Sequence, residues 1–183
     1  ITMVEAVEKT TGINVLEYDE KELRKVLVKQ GIEFSPPARG GVRGGGSKED
    51  KKLPNLSWGA LVALLFEEKV EETLIQPTMI YNFPTEVTPL AKKCVNDPRF
   101  TESFEQYING WEIGNNYTEI NDPTDLQKRF VEEKDRAKAG FAEAHQTDED
   151  YLEAIMHGLP PTVGIATSID RLAMLFTNNH SIK

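Results

Sequence analysis

The dipeptide Asn109-Gly110 constrains this chain more than any other pair of residues in it. Both residue types accept the left-handed backbone that a tight two-residue hairpin demands, and strand-like alternation flanks them on either side. Phe104 to Asn109 and Trp111 to Asn121 therefore read as adjacent antiparallel strands, the second of them central in a sheet. Alternate side chains of a strand share a face, so Asn115, Tyr117 and Glu119 point the same way and line one wall of a pocket. Glu112 has the opposite parity to Glu119 and joins that wall only if the strand kinks or bulges, which Gly114 permits. Two carboxylates on one wall attract a hard cation such as Mg2+. The plain alternative is an exposed polar edge strand in an acidic protein.

Helices surround this hairpin. Thr2 and Glu5 have capping-box spacing and Gly12 is placed to end the helix they open. Asp19 caps a second helix through Leu23, Val26 and Leu27, with Gly31 as its terminator. Ser57 opens a third, in which Leu61, Leu64, Leu65, Glu68 and Val70 lie beneath Trp58 and Phe66 on a broad core face. Pro77 to Tyr81 reads as a strand, followed by a proline-punctuated connection. Asp122 and Pro123 are an N-cap and first-turn pair opening a helix to about Ala139, with Leu126, Phe130, Val131 and Ala137 inward and its charged face solvated. Thr147 to Asp150 caps a short helix ending at Gly158, and Ile169 to Asn178 forms the last, with Leu172, Met174, Leu175 and Phe176 apolar. The stretch Pro37 to Lys52, rich in glycine, proline and charge, buries too little apolar surface to offset chain entropy and reads as a flexible loop. The fold class expected is α+β, an antiparallel sheet flanked by helices.

Composition narrows the function classes. With 183 residues, 39% of them hydrophobic, the chain supports one domain with a real core, and no apolar run approaches the length of a membrane span. The single cysteine, Cys94, cannot form an internal disulfide, so a reducing cytoplasm is the expected location. His145, His157 and His180 are scattered without metal-ligand spacing. A net charge of -9 argues against this segment being the main grip on nucleic acid and suits a cationic substrate.

Three stretches carry a family resemblance. EIGNNYTEINDP, from Glu112 to Pro123, resembles the strand-and-turn signature of class II lysyl-tRNA synthetases, and GLPPTVGIATSIDRLAML, from Gly158 to Leu175, resembles their motif 3. PTMIYNFPTEVTPLAKK, from Pro77 to Lys93, resembles the segment leading to their active-site strands. The resemblance implies activation of lysine by ATP to lysyl-adenylate, with Mg2+, and transfer to tRNA(Lys) in a cytoplasmic homodimer. It also implies that residues 1–183 are the C-terminal part of a catalytic domain truncated at both ends. An anticodon-binding OB domain, motif 1 and motif 2 would be absent, most tRNA contacts would lie in the missing N-terminal domain, and the isolated fragment would be inactive and prone to associate.

The same resemblance assigns roles. Arg171, Glu112 and Glu119 would be catalytic, with Mg2+ held by Glu112 and Glu119. Glu112, Ile113, Ser168, Ile169, Asp170 and Arg171 would face the nucleotide, and Asn115, Tyr117, Glu119 and Gly164 the lysine, in a pocket shaped by Pro89, Leu90 and Ala91. Motif 3 usually holds three glycines at alternate positions before the IDR; here Gly164 keeps the first and Ala166 and Ser168 take the others, which puts ATP binding in question. Two alternatives stay open: a relative that lysylates a protein without tRNA, and a binding module that has lost turnover.

Overall fold

The computed structural model describes residues 1–32, 56–138 and 147–182. Its sheet has four antiparallel strands in the order β1 (Thr78–Tyr81), β2 (Ser103–Ile108), β3 (Trp111–Thr118) and β4 (Val163–Ile165). Asn109 (φ 58) and Gly110 (φ 71) both sit in the left-handed region between β2 and β3, the two-residue turn that matches the twist of its flanking strands. β3 is an inner strand, paired with β2 on one side and β4 on the other.

The hairpin register contains one slip. Ser103, Phe104, Glu105 and Gln106 stand opposite Tyr117, Asn116, Asn115 and Gly114, but Tyr107 stands opposite Glu112, leaving Ile113 as the extra residue of a bulge. Glu112 thereby joins the face of Glu105, Tyr107 and Asn115. Gly114 is needed here for a further reason: a Cβ on it would collide with the Ala166 carbonyl oxygen.

Helices close one core against β1 and β2. Thr2 and Glu5 form a capping box on α1 (Met3–Thr11), which ends at left-handed Gly12, and Asp19 and Glu22 form another on α2 (Glu20–Lys29). The Ser57 side chain accepts from Ala60 N to cap α3 (Trp58–Lys69). Leu23, Leu27, Leu61 and Leu65 are fully buried with Ile80, and each contributes about 1.5–3 kcal/mol. Phe66 sits among them, edge-on to Tyr107 at 5.6 Å and to Phe83 at 6.3 Å. Glu68 is exposed, two residues past Phe66, the last buried residue of α3.

A second, smaller core joins α4 (Pro123–Lys138) and α5 (Glu149–Met156), through Leu126, Phe130, Leu152 and Ile155, to Ile120 beyond the end of β3. Asp148 caps α5 by accepting from Tyr151 N. Two expectations for α4 are corrected. Val131 is 54% exposed, being five residues from Leu126 and so on the far side of the helix. Part of the charged face is buried instead, with Arg129 and Glu133 each 3% exposed. α6 (Ile169–Thr177) follows β4 and buries none of its residues; Phe176 is 84% exposed. Among the described residues no helix is long and apolar enough to cross a membrane. The expected loop from Pro37 to Lys52, the side chain of Ala137 and the helix end at Ala139 fall outside the described residues.

Candidate functional site

β3 carries two chemically distinct clusters, one at each end. At the first, the Arg171 guanidinium reaches back from α6 to Glu112, where Nη1 donates to the backbone carbonyl oxygen and stands 3.4 Å from Oε2. Local capping sets this reach: Ser168 N donates to Ile113 O at 2.7 Å, docking the helix start on the bulge, and Ser168 Oγ accepts from Arg171 N at 3.2 Å. Nε and Nη2 of Arg171 make no hydrogen bond among the described residues, so the rest of the fork is open to an anion. Arg171 pairs with the Glu112 carboxylate and not with its chain neighbour Asp170; Ile169 and Asp170 are both exposed.

Glu105 belongs to this cluster and was missed in the sequence. Its Oε1 accepts from Asn115 Nδ2 at 2.9 Å and its Oε2 from the Tyr107 hydroxyl at 2.5 Å. Burial first, then the nearby charges of Glu112, Glu71 and Glu67, push its carboxyl up to about 8 against the pull of the Tyr107 hydroxyl. Burial and the Glu105 charge raise Tyr107 as well. The signal was present in the turn: counting across Asn109-Gly110 sets Tyr107 opposite Glu112, and Glu105, two residues from Tyr107, shares its face.

The second cluster lies just past the other end of β3. Glu119 is held by its N–H, which donates to Thr162 O at 2.9 Å, and by an antiparallel bridge to Ala91. Its carboxylate rests against Gly164, where a Cβ would have to push Glu119 Oε1 aside. Burial raises its pKa, and it has neither hydrogen bond nor ion pair among the described residues. Tyr117, raised by burial and then by Glu119, lies beside it. Tyr151 of α5, which the sequence did not single out, is raised by burial and then by the same two neighbours. The Leu90 carbonyl accepts from Ile120 N at 3.0 Å, which lays the connection before β2 alongside Glu119, while the Leu90 side chain packs on the second core.

Glu112 and Glu119 are seven residues apart, near the two ends of β3, so the two carboxylates fall in different clusters. The carboxylates that do meet are Glu105 and Glu112. Among the described residues no group of three or more metal-ligating side chains forms. Two carboxylates suit Mg2+, which keeps several waters and completes its shell with phosphate oxygens, and the raised Glu105 carboxyl marks a place short of positive charge. The first cluster thus suits a metal-bound polyphosphate, and the second a cation with two phenols beside it.

Comparison with known proteins identifies the family. The family model described as tRNA synthetases class II (D, K and N) matches residues 1–183. A lysine-tRNA ligase of Staphylococcus aureus is 44% identical over 182 residues, covering 99% of this chain and 33% of that protein. A lysine-tRNA ligase of Staphylococcus saprophyticus is 42% identical over 184 residues, covering 100% of this chain and 34% of that protein. The chain spans about a third of the length of the curated relatives it matches.

Proposed function

We propose that this chain, which belongs to the class II tRNA synthetases of the D, K and N group, is the lysine- and ATP-facing part of a lysine-tRNA ligase. The whole protein joins lysine to ATP, giving lysyl-adenylate and pyrophosphate, and passes the lysyl group to the acceptor end of tRNA(Lys). One observation carries this reading: Glu119 is a half-buried carboxylate with no cation beside it among the described residues, just past the strand whose other end holds Glu112 against Arg171 of α6. The lysine-tRNA ligases matched along the whole chain support the same substrate.

In this reading the protein performs no covalent step. The lysine carboxylate attacks the α-phosphate in line, and catalysis rests on positioning and on charge neutralisation. Glu119 receives the ε-ammonium, and Tyr117 and Tyr151 close the site around it. Leaving that carboxylate without its cation costs on the order of several kcal/mol, which rejects uncharged amino acids. Arg171 offers Nε and Nη2 to the polyphosphate, and Glu105 and Glu112 would hold Mg2+, which would supply neutralisation of phosphate charge. Asn115 orients Glu105; Ile113 and Ser168 fix the start of α6, where Ile169 and Asp170 are open to the nucleotide. A cytoplasmic homodimer, with tRNA gripped mainly by the rest of the protein, belongs to the same reading.

The test is lysine-dependent exchange of labelled pyrophosphate into ATP by the full-length protein, with arginine and aspartate as controls. Exchange that is specific for lysine and lost in Glu119→Gln supports both the reaction and the pocket. Exchange that proceeds equally well in a folded Glu119→Gln variant removes Glu119 from the lysine site.

A further inference from the structure

Behind the Glu119 end of β3 lies a buried guanidinium that the reading above leaves unused. Arg129, in the second turn of α4, is 3% exposed and turned toward backbone carbonyls rather than solvent. Its Nη1 donates to the carbonyl oxygens of Thr88 at 3.4 Å, Pro89 at 3.1 Å and Ala91 at 2.6 Å. Its Nη2 donates to Asp125 Oδ2 at 2.9 Å, while Asp125 Oδ1 accepts from Lys93 Nζ at 2.7 Å. Its Nε is buried with no acceptor among the described residues.

The carbonyls it gathers belong to the connection that runs beside Glu119. Across the other side of that connection, Ile120 N donates to Leu90 O at 3.0 Å, Lys92 N donates to Thr118 O at 2.8 Å, and Ala91 bridges Glu119. The segment from Thr88 to Lys92 is therefore held between Arg129 behind and Glu119 in front. Burying an arginine costs several kcal/mol unless its hydrogen bonds return the energy, and an apolar side chain of similar volume would fill the space more cheaply. An apolar residue could not collect three carbonyls pointing into one spot, and each buried carbonyl left unpaired costs roughly 1–3 kcal/mol.

We propose that Arg129 is a positioning residue for the ammonium site: it fixes the segment from Thr88 to Ala91 as the surface against which Glu119 is set, and so governs lysine affinity without touching lysine. This inference deepens the lysine-ligase reading and rests on it. Arg129 does not reach the cluster of Glu105, Glu112 and Arg171, so its loss leaves ATP binding alone. A general brace would instead weaken both substrates together.

The test uses the full-length protein with Arg129→Met and reads two quantities. The first is amide hydrogen exchange at Ile120 and Lys92, against amides of the β2–β3 hairpin. The second is KM for lysine and for ATP, titrated separately in pyrophosphate exchange. Expected are faster exchange at Ile120 and Lys92 with the hairpin unchanged, and a lysine KM raised about tenfold or more while the ATP KM stays within about twofold. Unchanged protection of those two amides, or a parallel rise in both KM values, overturns the proposal. Should Arg129→Met fail to fold, Arg129→Lys, which keeps the charge but reaches fewer carbonyls, decides the matter by the same two readings. A wild-type protein without lysine-dependent exchange refutes the lysine reading instead, and the amide protection alone then decides whether Arg129 fixes this segment.

Discussion

Replacing Gly164 by alanine separates pocket geometry from fold stability. Gly164 does not lie in the left-handed region, so alanine meets no backbone strain there. The new Cβ would stand 3.5 Å from Glu119 Cδ and 3.9 Å from Tyr117 O, both ordinary contacts, and its one conflict is with Glu119 Oε1. That atom ends a rotatable side chain, so the carboxylate swings aside at a folding cost within about 1 kcal/mol. The displaced carboxylate no longer meets the ammonium. Losing one charge-assisted hydrogen bond is worth about 1.5–3 kcal/mol, or roughly 10- to 150-fold in kcat/KM for lysine. The assay is pyrophosphate exchange by the full-length protein with lysine and ATP varied in turn, beside a urea melt. Lysine kcat/KM within about twofold of wild type in Gly164→Ala would refute the reasoning, because the carboxylate would then not be the lysine contact.

Three further outcomes follow from the same geometry. Burial holds the Glu119 carboxyl above the ordinary carboxylate range, and only its anion pairs with an ammonium. The lysine KM should therefore fall as pH rises through that pKa, and Glu119→Gln should flatten the profile. Asp125 is held below its ordinary value despite the opposing effect of burial, because Arg129 and Lys93 bond its anion. A lowered carboxylate pKa stabilises the fold above the unfolded value and stops doing so as pH falls through the folded one, so urea melts of Asp125→Asn should show a weaker acid limb than wild type. Phe66→Ala removes the ring that Tyr107 and Phe83 pack against and should cost about 3–5 kcal/mol in the same melts.

Much of the fold was legible because local chemistry dictated it. Asn109-Gly110 specified the hairpin, and Thr2, Asp19 and Ser57 each announced a helix start, since a cap and its partner lie within a few residues. The misses share another physical character. Arg129 looked like part of a solvated face because its acceptors are backbone carbonyls about forty residues away, and carbonyls leave no mark on a sequence. Tyr151 joins Glu119 only through the docking of α5 on the second core. Val131 and Phe176 are apolar yet exposed, and hydrophobicity by itself does not say which side of a helix finds a partner.

The altered motif 3 has a physical account in the same terms. A glycine is required where another group occupies the space of its Cβ or where φ turns positive, and the three positions differ on that count. At Gly164 the Glu119 carboxylate occupies the space. At Ser168 the backbone is extended, φ -75 and ψ 103, and the side chain serves as the N-cap of α6, a use glycine cannot match. Ala166 has no positive φ; its N–H donates to Asn116 Oδ1 at 3.0 Å and its carbonyl lies on Gly114. The close approach of the β4–α6 connection to the sheet is thus accommodated by a glycine in β3, so that Ala166 can carry a methyl group without moving Arg171 away from Glu112.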